Sequence, residues 1–341
     1  INSSPDYETK SSYNIRLKTI DSGELSFEKS IVLNVNDLID ETPTDIKLSA
    51  TNFDENIKSG SVVSILSSDD QDESDTHTYE LISGDGDDDN ELFSIDENQL
   101  KITSSPDYET KSSYNIRLKT TDSGDLSFEK TFKLNVDDIN DVPVNIILSK
   151  TNFDENINSE SVVSILSSDD QDESDTHTYE LISGDGDDDN ELFSIDENQL
   201  KITSSPDYET KSSYNIRLKT TDSGDLSFEK TFKLNVDDIN EKPTAINLSK
   251  DSIDEGESAF LAVLSSDDPD LAAGDFHTYQ FVVGDANNDN NLFGIDKRED
   301  GSIILWGSNL ITDYETKSSY KVLIKTIDSG DISFKDTLTI N

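Results

Sequence analysis

Across 341 residues, 74 acidic side chains stand against 27 basic ones, a formal net charge of −47, and such a surface repels nucleic acid and anionic lipid. Cysteine and methionine are absent. Disulfides therefore cannot staple small domains here, and divalent cations bound by carboxylates are the obvious alternative cross-link.

Hydrophobic residues make up 32% of the chain, few for a globular protein but enough for real cores. No run approaches the about 20 apolar residues of a membrane span, and no charged-then-apolar secretion signal stands at Ile1. Residues 51–140 and 151–240 are identical except at Lys58/Asn158 and Gly60/Glu160. A period of 100 residues is too long for a solenoid turn and right for a small β domain. Residues 1–42 match only the second half of this unit, so the chain is expected to be a window onto a longer array. The predicted domains are a partial repeat over 1–42, whole repeats over 43–142 and 143–242, and a diverged repeat over 243–341.

Within one unit, short runs around Ile46–Leu48, Val62–Leu66, Thr78–Ile82, Phe93–Ile95 and Leu100–Ile102 are each bounded by Gly, Asn, Asp or Ser and read as strands. From Tyr114 the apolar residues Tyr114, Ile116 and Leu118 alternate with Asn115, Arg117 and Lys119, the two-residue period of a half-buried strand. After the turn Asp122-Ser123-Gly124 the same parity continues through Phe128, Phe132, Leu134 and Val136. About seven short strands without helical periodicity predict an all-β fold of tandem seven-stranded antiparallel Greek-key β-sandwiches. A jelly roll or small barrel would need an eighth strand.

Four acidic signatures recur in order: Asp54-Glu55-Asn56, Asp70-Gln71-Asp72, Asp107-Tyr108-Glu109 and Asp138-Ile139-Asn140-Asp141. The last closes a strand and is followed by Pro143, which cannot donate to a ladder, so 137–143 and 237–243 read as junctions. Calcium takes six to eight oxygen ligands from carboxylates, amides and carbonyls, and acids at alternate positions of an extended segment can aim two carboxylates to one side. The junctions read as calcium-clamped hinges.

The order Asp-Glu-Asn, Asp-x-Asp, Asp-x-Glu, Asp-x-Asn-Asp-x-Pro resembles the extracellular cadherin repeat. The stretches Asp75-Thr76-His77-Thr78-Tyr79, Gly84-Asp85-Gly86-Asp87 and Thr121-Asp122-Ser123-Gly124 look more like the cadherin-like repeats of large bacterial surface adhesins than like animal cadherins. The resemblance implies sandwiches joined end to end with up to three Ca²⁺ ions at each junction. It assigns the metal ligands Glu55, Asp107, Glu109, Asp138, Asn140 and Asp141, with Asp170, Asp172 and Asp222, to the junction at 137–143. To that at 237–243 it assigns Glu155, Asp207, Glu209, Asp238, Asn240 and Glu241, with Asp268, Asp270 and Asp328. The linker Asp37-Leu38-Ile39-Asp40-Glu41-Thr42-Pro43 is one residue longer, and there Asp70, Asp72 and Asp122, with Asp6 and Glu8, are expected to hold a partial site. The family usually has Asn where Val142 and Lys242 stand.

Other features read more plainly. The acid-rich loop Asp85–Asn90 imitates the start of an EF-hand loop but lacks its glutamate in register, so a solvated turn is the preferred reading over an accessory calcium site. His77, His177 and His277 occupy one equivalent strand position and read as packing or pairing residues. Trp306, in an insertion unique to the last repeat, reads as core. No nucleophile elbow, phosphate-cradling loop or His-Glu-x-x-His is present, so the chain is not expected to be an enzyme.

The expected function is a calcium-rigidified extracellular stalk or adhesin segment that mediates cell-surface adhesion or fibre assembly. Its expected partners are copies of itself or neighbouring repeats. The alternative is a calcium-dependent polysaccharide-binding array using Tyr108, Tyr208 and Tyr314. No membrane insertion and no nucleic-acid partner are expected.

Overall fold

The computed structural model describes residues 3–37, 41–72, 75–284, 287–308, 310 and 312–341. The chain divides into two compact units, Ile1–Asp141 and Val142–Asn341, and each is described by itself.

The first unit begins with a hairpin of β1 (Ser12–Ile20) and β2 (Ser26–Asn34), paired from Ser12 with Asn34 to Ile20 with Ser26. There follow β3 (Asp45–Leu48), β4 (Asn52–Asp54), β5 (Val62–Asp69), β6 (Thr78–Leu81), β7 (Phe93–Asp96), β8 (Gln99–Ile102), β9 (Ser113–Thr121) and β10 (Ser127–Asp137). They form two four-stranded sheets, ordered β3-β5-β8-β7 and β4-β10-β9-β6. After the opening strands the chain passes between the sheets from β5 to β6, from β6 to β7 and from β8 to β9, as the Greek-key expectation requires.

The predicted strand count changes for a physical reason. The opening strand is split, with β3 antiparallel to β5 in one sheet and β4 parallel to β10 in the other. The three residues of β4 carry one buried side chain, Phe53, too short a signal for periodicity to reveal. The extra segment closes the second sheet and does not create a barrel.

Alternation decides what is buried. Tyr114, Ile116 and Leu118 of β9 meet Ile46, Leu66, Leu100 and Ile102 of the facing sheet in one core, each fully buried aliphatic contributing about 1.5–3 kcal/mol. Phe53, Phe93 and Tyr114 form an aromatic cluster with centroids 5.5–6.4 Å apart. Two polar residues share the inward parity and find partners. Thr120 bonds Ser68 at 2.7 Å, and Lys130 snorkels over Phe132 to reach Asp45 Oδ1 at 2.7 Å. In the lone hairpin, the corresponding Ile15 and Leu17 are 37% and 54% exposed, against 0% for Ile116 and Leu118.

The second unit repeats this plan. The strands β11 (Asn145–Leu148), β13 (Val162–Asp169), β16 (Gln199–Ile202) and β15 (Phe193–Asp196) face β12 (Asn152–Asp154), β18 (Ser227–Asp237), β17 (Ser213–Thr221) and β14 (Thr178–Leu181) around an equivalent core. A further sandwich follows, with β19 (Ala245–Leu248), β20 (Ala259–Asp267), β23 (Ile303–Ser308) and β22 (Phe293–Lys297) against β21 (Thr278–Phe281), β24 (Tyr320–Ile327) and β25 (Ser333–Ile340). There Asp251 and Ile253 exchange backbone hydrogen bonds with Asn341, in the place that β4 takes in the first unit.

Trp306 is not a core residue. It is 37% exposed, donates from Nε1 to Asp296 Oδ2 at 2.6 Å, and lies so close over Gly294 that a Cβ there would meet its ring at 2.5 Å.

Candidate metal centres

The 237–243 junction lies inside the second unit and shows how the fold assembles a site. Because β12 runs parallel to the end of β18, pairing Asp154 with Asp237, the next residue, Glu155, is carried alongside the linker. Its carboxylate is 3% exposed. One oxygen accepts the Ile239 N–H at 2.8 Å and the other the Tyr208 N–H at 2.8 Å. Glu155 thereby ties the Asp-Tyr-Glu turn to the linker.

Asp207 closes that turn by accepting the Thr210 N–H at 2.9 Å. The Tyr208 ring packs against the core. Glu155, Asp207 and Glu209 bring carboxylate oxygens within 4.8 Å of one another.

The following sandwich supplies the other wall. The Glu241 N–H donates to Asp270 Oδ2 at 2.7 Å, and Asn240 Nδ2 donates to Asp328 Oδ2 at 3.2 Å. Asp328 is fixed in turn by the Ile332 N–H at 2.7 Å. The glycine of Asp328-Ser329-Gly330 has a specific task, since a Cβ at Gly330 would fall 2.6 Å from the Asn240 side chain. Asp238, Asn240, Asp270, Gly274, Asp275 and Ser329 line one cleft.

The electrostatics of this arrangement are unfavourable without a cation. Burial, reinforced by Glu155, Glu241 and Asp238, pushes Glu209 up to about 7. Burial raises Asp238, with Asp270 adding to it. Burial also raises Glu241, against an opposing hydrogen bond from Asn156. Glu241 Oε2 and Asp270 Oδ1 are buried with no hydrogen-bond donor, a costly state for a carboxylate oxygen. Hard oxygen donors crowded in this way, some with no other partner, fit a calcium ion.

The halves that flank residue 141 repeat the same local frames, each in its own unit. Glu55 accepts from the Ile139 N–H at 2.8 Å and the Tyr108 N–H at 2.7 Å, and Glu55, Glu109 and Asp138 gather within 4.8 Å. Asp107 caps Thr110 at 2.8 Å, and Asn56 Nδ2 donates to Asp141 Oδ1 at 2.9 Å. In the second unit the Asp172 N–H points at Asp170 Oδ1, 3.3 Å away, and Asp222 Oδ1 accepts from the Gly224 and Leu226 N–H groups at 2.8 Å each.

At the first linker, Leu38, Ile39 and Asp40 lie outside the described residues. Beyond them Glu41 donates its N–H to Asp72 Oδ2 at 2.8 Å, the bond that Glu241 makes to Asp270. Register is thus restored when counted back from Pro43. Glu8, Glu41 and Asp72 form one group and Asp70, Asp75 and Asp122 another. Burial, with Asp72 and Glu8 facing it, pushes Glu41 up to about 7. Glu41 was missed in the sequence, where the inserted residue hid its equivalence to Asp141 and Glu241.

Three other sequence readings meet the structure here. The Asp85–Asn90 loop is internally satisfied. Asp87 Oδ2 accepts the Gly84 N–H at 2.9 Å, Asp89 pairs with Lys111 at 2.6 Å and accepts the Asn115 N–H at 2.8 Å, and Arg117 holds the Asp85 carbonyl at 3.1 Å. The histidines pair with the first acid of each Asp-x-Asp, His77 with Asp70 at 3.0 Å, His177 with Asp170 at 2.8 Å and His277 with Asp268 at 2.7 Å. Tyr108 and Tyr208 pack on their cores, whereas Tyr314 is 69% exposed.

No protein-family model matches the chain. It is 34% identical to Cadherin-3 of Caenorhabditis elegans over 140 residues, 40% of this chain and 4% of that protein. It is 26% identical to human Protocadherin Fat 1 over 348 residues, 95% of this chain and 7% of that protein. The chain therefore spans under a tenth of the length of these curated relatives. Among solved structures, the Protocadherin GammaB4 extracellular domain superposes with a TM-score of 0.61 at 22% identity, covering 99% of this chain and 55% of that one. Protocadherin Gamma B2 extracellular cadherin domains 1–5 give 0.58 at 21%, covering 98% and 66%. The structural likeness fixes the fold, and the sequence relatives support the cadherin repeat family. These relatives are animal proteins and point to eukaryotic cadherins, not to the bacterial surface adhesins expected from the stretches at 75–79, 84–87 and 121–124.

Proposed function

We propose that this chain is an extracellular adhesion segment built of cadherin repeats, with boundaries near 42, 142 and 242, whose junction carboxylates hold calcium. One observation carries the reading. At 237–243, acids from the linker and from both flanking sandwiches converge while buried oxygens of Glu241 and Asp270 have no donor.

Glu155, Asp207, Glu209, Asp238, Asn240, Glu241, Asp268, Asp270 and Asp328 would hold the ions, and the same residue types recur at Glu55, Asp107, Glu109, Asp138, Asn140 and Asp141 and at Asp170, Asp172 and Asp222. Bound calcium would supply positive charge among carboxylates that otherwise repel one another. The protein's own part is to pre-position the ligands, with Glu155 clamping turn to linker and Gly330 admitting Asn240. Extracellular calcium sites commonly sit near 10⁻⁴–10⁻³ M, so the segment would be stiff in a calcium-rich fluid and pliant in a chelator.

The relatives are cadherins, and nothing in the site calls for catalysis. Further copies of the chain are the proposed partner, in keeping with a solved neighbour described as a Protocadherin gammaB7 cis-dimer. Among the described residues no helix is long and apolar enough to cross a membrane. A sugar-stacking platform is less favoured, because Tyr108 and Tyr208 are packed inward.

The test is a calcium count by native mass spectrometry, together with small-angle scattering in calcium and in chelator. About six ions per chain are expected from up to three at each of the two complete junctions, with a longer maximum dimension when calcium is present. A chain that binds no calcium would overturn the reading, and an unchanged dimension would remove the stiffening.

A further inference from the structure

We propose that the outer face of the last sandwich carries a binding site for a neutral sugar ring, with the indole of Trp306 as its stacking platform and Gly294 and Asp296 setting the pose of that indole. The site belongs to one sheet and uses none of the junction carboxylates. It therefore stands apart from the calcium reading and from the tyrosines set aside above.

The repeats within the chain show that this socket has been rebuilt. In the first whole repeat Lys101 of β8 lies opposite Ser94 of β7, and Lys101 Nζ reaches Asp96 Oδ2 at 2.6 Å. The second has the same arrangement, with Lys201 opposite Ser194 and 2.6 Å from Asp196 Oδ2. In the last repeat the register is kept, but Trp306 lies opposite Gly294. The acceptor is kept too, since Trp306 Nε1 donates to Asp296 Oδ2 at 2.6 Å. Tryptophan stands in place of lysine and glycine in place of serine at facing positions, and the second change makes room for the first. A Cβ on Gly294 would stand 2.5 Å from Cε2 and Cζ2 of the indole and 2.8 Å from Nε1. The bare glycine lets the ring settle onto the backbone while the aspartate pins its edge.

The result is a flat aromatic surface fixed in advance on the outside of the sheet. On its other flank Leu261, opposite Trp306 across the ladder, is 48% exposed, and Val263 follows on the same face at 36%. A contiguous apolar patch with a polar rim, on a surface otherwise dense in charge, marks a ligand site.

The chemistry selects the ligand. The single N–H of the indole is committed to Asp296, so the ring offers its electron-rich face outward. The C–H groups on one side of a pyranose suit such a face, and hydroxyls at the edge of the sugar find an acceptor in the exposed Asp296 carboxylate. An aliphatic side chain would cover the patch but make no use of that carboxylate. A net charge of −47 disfavours uronates and sulfated sugars, which leaves neutral glycans. A platform already held in place loses little freedom on binding.

The experiment titrates the full chain with cellohexaose, laminarihexaose and mannohexaose, and with hexagalacturonate as the anionic counterpart, in calcium and in chelator. Trp306 is the only tryptophan, so its fluorescence reports contact directly, while calorimetry reads affinity. The expected result is saturable binding of at least one neutral hexasaccharide, with a blue-shifted emission and protection from acrylamide quenching, alike in both conditions, and no binding of hexagalacturonate. Trp306→Lys/Gly294→Ser restores the socket of the earlier repeats, so it should match the wild type by circular dichroism and bind at least about tenfold more weakly, as when the aromatic anchor of an interface is removed. Gly294→Ser alone should weaken binding by lifting the ring. No saturable binding of any neutral probe, binding that vanishes in chelator, or equal binding by the folded double variant would each overturn the proposal. So would weaker self-association of the double variant in sedimentation without sugar, which would make this face a contact between copies. A chain that binds sugar but no calcium would overturn the junction reading alone.

Discussion

Glu155→Gln separates a structural clamp from a metal ligand in one substitution. The carboxylate is buried and accepts two backbone N–H groups, from Ile239 and Tyr208, at 2.8 Å each. Glutamine is nearly isosteric but has one acceptor oxygen, so its amide NH₂ must face one of those N–H groups. Leaving a buried donor unsatisfied costs about 1–3 kcal/mol, which for a unit of this size lowers the melting temperature by roughly 2–4 °C per kcal/mol. In chelator the loss should sit at the low end of that range, because the substitution also removes a charge that raises Glu209 and Glu241. In calcium the loss should be larger. An ion at a hundredfold excess over its Kd adds about 2.7 kcal/mol to the folded state, and the variant forfeits part of that. Differential scanning calorimetry of the full chain in both conditions reads the difference directly. A melting shift that is the same in calcium and in chelator would refute the reasoning and leave Glu155 as a purely structural clamp.

Other expectations follow from the same geometry. Gly330→Ala places a Cβ against Asn240 and should cost about 1–3 kcal/mol of stability or junction order, read as weaker calcium binding beside an unchanged wild-type control; unaltered binding and melting would show that the linker can shift freely. Asp89→Ala strips the Asn115 N–H and Lys111 of their partner and should destabilise by about 1–3 kcal/mol without changing the calcium count, whereas a lost ion would make the 85–90 loop a metal site after all. Gly294→Ala collides with the ring of Trp306, the sole tryptophan, so its fluorescence should shift to the red as the ring is displaced; an unmoved spectrum would contradict the packing.

What the sequence makes legible, and what it hides, depends on the range of the interaction. The period-two alternation of β9 and β10 is local, and the burial of Ile116, Leu118, Leu134 and Val136 follows it closely. The acidic signatures are also local, and the structure brings Glu155, Asp207 and Glu209 within 4.8 Å of one another. β4 escaped because three residues carry too little pattern and its pairing with β10 spans the whole repeat. Glu41 escaped because an insertion shifted the motif while the backbone bond to Asp72 restored its place. Gly330 could be read as a turn glycine, but its contact with Asn240 joins positions 90 apart in sequence.

The parallel pairing of β4 with β10 has a mechanical consequence. The chain enters this sandwich through β3, which pairs with β5, runs on into β4 and leaves just after β10, and Asn135 N–H to Thr51 O at 2.9 Å and Glu55 N–H to Asp137 O at 3.2 Å lash β4 to the exit strand. Tension applied at entry and exit pulls the two parallel strands lengthwise past each other. Their hydrogen bonds are then loaded together, in shear, and are not peeled apart one at a time. Rupture under force is governed by the unfolding rate, so this small patch of ladder, next to Glu55, is the latch that a pulled repeat must break once β3 has come away from β5.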